Sequence, residues 1–452
     1  MKSVLIHSDQ ERVIRLVGRN MGFETALRGC VTFVFRFLMG TLSGLPPTVM
    51  SVNAFVSFVS TALLEMPAGI FADLFGRVLS TRAGCWFQSL AALSLFAAIA
   101  VHEFSPPLMW FFVILEGVFD SLGNACLSGA REALYQAGVI NLSLRQEEEL
   151  SLRKRILAMA ERYGVVAIGF APPTLVLLTV AIQATVGAGH ATLLGISVGW
   201  FLLATQFKKL ARELKIRDDR VNQMDLRNFA LKKRLISMRQ LVVDVKDTLQ
   251  VQRHQLVPQC LVYVIGWFAA VTASAYLPVA IARSLGADHP FYKESIVGLT
   301  AIFCIGRVLR AFILPPLLKN LGFLSSLLWS SALLTGIGIV LSFLMSGDDD
   351  RLSLITSSLV MMTATDMVTG IILKVTTGEI LSLTPHSLHA TLLSSISSVS
   401  FLTQGVYSLV LSFFYQGCPS PHAVATTIAL CGGTAFLLVI YLRQKEGPGG
   451  FV

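Results

Sequence analysis

The sequence predicts an all-α membrane protein with twelve transmembrane helices arranged as two six-helix bundles. Three observations point there. Of the 452 residues, 54% are hydrophobic and only 14% charged, whereas a soluble domain carries about 25% charged residues. At about 20 apolar residues per span, that hydrophobic content fills on the order of twelve spans. The apolar runs also fall into two groups, separated by the polar stretch 207–256. Such a composition excludes a secreted enzyme, a disordered regulator and a nucleic-acid-binding module.

The first group of runs, each bounded by charges, Pro or Gly, spans 29–46, 49–72, 82–102, 107–130, 156–181 and 188–206. Span one follows Arg28 and contains Arg36. Span two ends in a Glu-x-Pro-x-Gly sequence, and span four carries Glu116 and Asp120. Span five holds Gly164, Gly169, Pro172 and Pro173, which predict a kink. The second group covers 257–282, 294–317, 323–346, 352–375, 388–415 and 423–442. Span seven contributes Tyr263, Trp267 and Tyr276, span eight Arg307 and Arg310, span ten Asp366, and span eleven Gln404 and Tyr407. Aromatic residues in spans more often pack or anchor than line a cavity. The expected organisation is a cytoplasmic segment 1–28, bundles 29–206 and 257–442, a basic amphipathic linker 207–256 and a tail 443–452. No run of signal-peptide type precedes Arg28.

The net charge of +9 resolves into an orientation signal. With residue 1 in the cytoplasm, 29 of the 36 Lys and Arg fall in inner segments and three, Arg283, Lys293 and Arg351, in outer ones. Translocation of Lys and Arg is opposed, so both termini are expected on the cytoplasmic side. Nucleic-acid binding is then not needed to explain the charge. Thirteen of the basic residues lie in 207–256, where Leu210, Leu214, Leu226, Phe229, Leu231, Leu235 and Ile236 recur at helical spacing. That pattern reads as amphipathic helix on an anionic inner leaflet. The seven cysteines, at 30, 85, 126, 260, 304, 418 and 431, show no C-x-x-C spacing and read as small core residues.

The inner end of span two reads Glu65-Met66-Pro67-Ala68-Gly69-Ile70-Phe71-Ala72-Asp73-Leu74-Phe75-Gly76-Arg77. Gly69 permits close helix packing, Asp73 is placed to cap or pair, and Gly76-Arg77 makes a tight turn. This stretch resembles the loop signature of the major facilitator superfamily, in which Gly is followed after four residues by Asp and then by Gly-Arg. The pattern usually adds a further basic residue, where Val78 stands here. The end of span four, Ser128-Gly129-Ala130-Arg131-Glu132-Ala133-Leu134-Tyr135, looks like that of one bacterial branch of the superfamily, with Gln136 in place of its usual Asp. The corresponding turn of the second half, Pro315 to Phe323, sets Lys319 opposite Asp73 and is eroded.

Ionisable groups inside spans are expensive and therefore candidate sites. Arg36 lies roughly 12 Å above the inner end of span one, and Asp120 at a similar depth in span four. Glu116 is one turn above Asp120 on the same face. In the second half, Asp366 and Arg310 have matching depths, with Arg307 competing for the pair. The resemblance implies that spans 1, 4, 7 and 10 line a central cavity. Arg36, Glu116, Asp120, Arg307, Arg310 and Asp366 would then form the substrate or proton pathway, and Glu65, Gly69, Asp73, Gly76 and Arg77 a conformational gate. A fixed structural ion pair is the competing reading of Arg36 and Asp120.

Drug–proton antiporters of the superfamily carry a basic residue in span four, three residues ahead of a Gln-Gly pair. Val113 and Glu116 stand at the basic and Gln positions here, leaving Arg36 to supply a cationic role. No Gly-rich phosphate loop, G-x-S-x-G or H-E-x-x-H pattern occurs, so no enzymatic activity, metal or cofactor is expected. The expected protein is a monomeric secondary transporter of the bacterial inner membrane. It would move a small organic solute by alternating access in the efflux direction, coupled to protons or another ion. The alternative is a transporter-like protein in lipid handling, sensing or membrane-complex assembly.

Overall fold

The fold was analysed in a computed structural model. It describes residues 15–20, 22–24, 26–27, 30, 47–75, 77–142, 163, 167, 171, 174, 188–213, 243, 246–247, 250–285, 305, 308–309, 312, 323–344, 351–383, 389–414 and 420–446. The described residues are helical apart from short turns. The long helices among them are α1 (Pro47–Phe75), α2 (Arg77–Val101), α3 (Pro106–Leu142), α4 (Ala188–Glu213), α5 (Arg253–Leu285), α6 (Phe323–Leu344), α7 (Arg351–Leu383), α8 (His389–Phe414) and α9 (Pro421–Glu446). Each coincides with an apolar run expected from the sequence. The runs 29–46, 156–181 and 294–317 fall largely or wholly outside the described residues.

By length and composition, α1, α2, α3, α5, α6 and α9 contain stretches able to cross a membrane. In α7 and α8, Ser and Thr dilute the apolar sequence, and their hydroxyls turn back onto the helix. Thr369 donates to Thr365 O at 2.9 Å, Thr377 to Leu373 O at 2.8 Å, Ser400 to Ile396 O at 2.9 Å and Thr403 to Val399 O at 2.8 Å. Back-bonding of this kind satisfies a hydroxyl where no water is available. Large apolar side chains face outward: Phe343 is 73% exposed, and Trp329, Leu430 and Leu437 about as much. A surface of that kind suits hydrocarbon rather than water.

The chain divides into two compact units, Met1–Gln223 and Met224–Val452. In the first, α2 packs along α3 and against α4, and α1 packs on α3. Small residues set the α2–α3 distance: a Cβ added to Gly84 would lie 3.0 Å from Gly123 O. Leu95, Val113, Leu127, Trp200 and Leu203 form fully buried core, and Ser89 and Ser197 meet across α2 and α4 with hydroxyls 2.7 Å apart.

In the second unit, α6 packs on α9 and α7, and α5 packs on α7, α8 and α9. The aromatic residues of α5 and α8 pack against each other. Trp267 meets Phe401 edge-on at 4.9 Å, Phe268 meets Tyr407 at 4.9 Å, and Tyr276 OH lies 2.8 Å from Ser408 Oγ. Tyr276 and Gln404 are buried in that seam.

Helical structure begins earlier than expected. Residues of the segment read as extramembrane are helical from Arg15, and Val17, Asn20, Glu24 and Leu27 are buried at helical spacing. At the other end of the unit, α4 runs on to Glu213 through Lys208, Lys209 and Arg212. Exposed basic residues are good helix formers, so a helix need not end where the apolar run does.

Candidate functional site: two carboxylates on α3

Helix α3 starts at Pro106-Pro107, where proline suits the first turn, and Met109 N closes its first bond onto Ser105 O at 3.0 Å. Glu116, Asp120 and Asn124 follow at intervals of four, so their side chains share one face. Among the described residues, the buried charged side chains are Glu24, Glu116 and Asp366. Asp120 is half-buried.

The partners come from α1 and α2. On α1, Asn53, Ser57 and Thr61 recur every four residues and make a polar stripe along one face of a mainly apolar helix. Asn53 Nδ2 donates to Glu116 Oε2 and, at 3.0 Å, to Val113 O. Ser57 Oγ donates to Asp120 Oδ2 at 2.7 Å. Both side-chain pairs are offset by 63 residues, so α1 and α3 run parallel in one register. Ser121 Oγ locks it, lying 2.7 Å from Ser57 O and 2.6 Å from Gly117 O. From α2, the buried Gln88 amide donates to Asp120 O at 2.9 Å and to Asp120 Oδ1 at 3.0 Å. Asn124 Nδ2 donates to the same Oδ1 at 3.0 Å.

Asp120 therefore accepts two amide donors on Oδ1 and one hydroxyl on Oδ2. Amides on Oδ1 only donate from nitrogen, and they hold that oxygen as an acceptor in either protonation state. A hydroxyl both donates and accepts, so Oδ2 is the oxygen that can carry a proton without losing its contact to Ser57. Each bond to the ionised form is worth about 1.5–3 kcal/mol. Three neutral donors thus offset much of the several kcal/mol that a carboxylate costs inside a bilayer. The arrangement can keep a carboxylate within a helix bundle, with its two oxygens in different hydrogen-bonding surroundings.

The other expected site residues divide by what the structure describes. Arg36, Arg307, Arg310 and Gly76 lie outside the described residues. Gly69 and Asp73 lie in the last turns of α1, and Arg77 opens α2, so one residue separates the two helices. Glu65 is half-buried on α1, two turns below Ser57. Asp366 is buried on α7, within the second unit. The described partners of Asp120 are neutral: Ser57, Gln88 and Asn124. Sequence reasoning passed over these residues. The four-residue repeat of Asn53, Ser57 and Thr61 was a usable signal, whereas Gln88 is a lone amide in α2. Glu24 was also passed over, because it stood in a segment read as extramembrane. No group of three His, Cys, Asp or Glu able to hold a metal occurs among the described residues.

No family model matches the sequence, and no curated protein matches it either. Solved structures do match in three dimensions. A bacterial homologue of the iron transporter ferroportin, in an inward-facing state, superposes with a TM-score of 0.64 at 15% identity, covering 98% of this chain and 99% of that one. A POT family transporter in complex with a thioalcohol-conjugated peptide gives 0.62 at 12% identity, covering 98% and 96%. The nucleoside transporter NupG gives 0.61 at 14% identity, covering 95% and 99%. These are membrane transporters of the major facilitator type, and the coverage is nearly complete on both sides. The chain is an all-helical membrane protein with the major facilitator fold.

Proposed function

We propose that this protein is a proton-coupled secondary transporter that moves a small polar organic solute across the bacterial inner membrane by alternating access. It works as a monomer, in the efflux direction, with both termini in the cytoplasm. The observation that carries the reading is the Asp120 cradle, a carboxylate inside a transporter fold with one oxygen, Oδ2, facing a hydroxyl. Neighbours in fold space support a polar solute, being named for a peptide conjugate, a nucleoside and, in a D-xylose–proton symporter, a sugar moved with a proton. Strong inside bias of Lys and Arg supports the orientation.

In this reading Arg36, Glu116 and Asp120 form the pathway of the first bundle, and Arg307, Arg310 and Asp366 that of the second. Protonation of Asp120 exchanges its pairing with Arg36 during the cycle. Glu65, Gly69, Asp73, Gly76 and Arg77 form the gate between spans two and three, and residues 207–256 link bundles 29–206 and 257–442 along the inner membrane surface.

The test is flux in proteoliposomes under an imposed pH gradient, across a broad panel of polar solutes. The expected result is gradient-driven flux that Asp120→Asn abolishes while Asp120→Glu retains part of it. Full pH-dependent flux in Asp120→Asn removes this carboxylate from the mechanism. Absence of flux for every solute, with folding retained, overturns transport in favour of a sensing or assembly role.

A further inference from the structure

We infer that the first unit carries a binding groove for one acyl chain of an anionic phospholipid, with the phosphate held by Arg19 and the basic end of α4. The groove has a volume of about 780 Å³, within the roughly 300–1,000 Å³ usual for ligand clefts. Three helical segments wall it. The first contributes Phe23, Ala26 and Cys30, the second Ala167 and Ala171, and α4 contributes Gly195.

Its shape follows from where small residues sit. A Cβ on Gly22 would lie 2.7 Å from Tyr163 Cβ, and one on Gly199 would lie 2.7 Å from Leu27 Cδ2. The three segments therefore touch at those points. A Cβ on Gly195 meets nothing within 4 Å, so the missing side chain leaves the groove open there. Apart from Arg19, Gln206 and the hydroxyls of Tyr163 and Thr174, the lining is hydrocarbon or thiol.

The charge of the lining lies at one end. Arg19 and Gln206 mark it, both exposed. Lys209 lies three residues beyond Gln206 on the same face of α4, with Lys208 and Arg212 beside it, all exposed. Among the described residues no ion pair engages Arg19, Lys208, Lys209 or Arg212. From Gln206 back to Gly195 the helix rises about 16 Å at about 1.5 Å per residue. Half of a hydrocarbon core of about 30 Å is about 15 Å. The groove thus has the depth of one leaflet, a cationic rim at headgroup level and an apolar trough beneath it. A zwitterionic headgroup gains less from that rim than an anionic one, because each nearby Lys or Arg attracts net negative charge.

The test is native mass spectrometry of the full chain in detergent, titrated with phosphatidylglycerol or phosphatidylcholine of the same chain length. The parent is expected to retain one phosphatidylglycerol in preference to phosphatidylcholine. Arg19→Gln is expected to weaken phosphatidylglycerol about fivefold while leaving phosphatidylcholine unchanged. Gly195→Trp fills the trough and is expected to abolish retention of both lipids. Leu194→Trp, at an exposed position of α4 outside the groove, is expected to change neither, with helicity and monodispersity confirming the fold of every variant. Equal retention of the two lipids by the parent, or undiminished retention in Gly195→Trp, overturns the inference. So does a parent dimer that Gly195→Trp converts to monomer, since the occupant is then a second copy.

Discussion

Ser57 Oγ on α1 donates a 2.7 Å hydrogen bond to Oδ2 of Asp120 on α3, joining two parallel helices through the carboxylate oxygen that no amide among the described residues engages. The contact serves packing and chemistry together. It ties α1 to α3, and it is the contact that the proposed proton exchange at Asp120 would use.

Ser57→Ala removes this donor and leaves Oδ2 without its hydroxyl. The expected cost is about 1.5 kcal/mol of stability, at the low end for a bond to a charged group because Asp120 is half-buried. Thermal unfolding in detergent measures it, and Ser57→Thr, which keeps the hydroxyl, is expected to unfold within a degree or so of the parent. A Ser57→Ala protein as stable as the parent would show that the contact contributes nothing.

Gly123 positions the second donor. A Cβ there would lie 2.6 Å from Gln88 Nε2 and 2.7 Å from Gln88 Cγ, so Gly123→Ala displaces the amide from Asp120. The expected loss is about 1–3 kcal/mol. Gln88→Ala removes both the clash and the hydrogen bonds, so the double variant is expected to lose markedly less than the sum of the two single losses. Strict additivity in unfolding experiments would refute the coupling.

On the second unit, α6 and α9 approach through glycine on both sides. A Cβ on Gly338 would fall 2.6 Å from Ala429 Cα, and one on Gly432 would fall 2.5 Å from Thr335 N. Backbone cannot give way as a side-chain tip can, so Gly338→Ala is expected to lower stability and expression severely. Gly336→Ala, on the same helix with open space around its added Cβ, is expected to be neutral or slightly stabilising. Similar behaviour of the two variants would contradict the packing.

The register of α2 on α4 is open to a covalent test. Ser89 and Ser197 hydroxyls are 2.7 Å apart, which sets their Cβ atoms near the spacing a disulfide requires. A Ser89→Cys/Ser197→Cys protein is expected to cross-link on mild oxidation, read as a mobility shift after cleavage between the helices. The parent thiols at Cys30, Cys85 and Cys126 are buried, so they are expected to stay reduced under the same treatment.

How far the sequence carries can be followed helix by helix. An apolar run of about 20 residues has one low-energy outcome in a membrane, a helix, because every backbone group must be bonded internally. The runs at 49–72, 82–102 and 107–130 therefore became α1, α2 and α3, with the ends of α1 and α2 shifted by a few residues and α3 running on to Leu142. The shifts occur where hydropathy ceases to be the governing term: the described residues between Arg15 and Leu27 are helical and hide Asn20 and Glu24, and α4 continues through Lys208 and Lys209. The periodicity of Val17, Asn20, Glu24 and Leu27 was legible, but a search for unbroken apolar residues passes over it.

The site separates along the same line. Glu116 and Asp120 stood out because a carboxylate in a span is costly wherever it points. Their shared face followed from helical pitch alone. Which donors meet them depended on the rotation and register of three helices, and single residues set these: Gly84 and Gly123 by close approach, Ser121 by its bond to Ser57 O. By itself the sequence determined a helical membrane protein, its apolar segments and the carboxylates they have to accommodate. Only the tertiary structure decided that Asn53, Ser57 and Gln88 receive those carboxylates, because burial is a property of one segment whereas a hydrogen bond requires two segments to be placed.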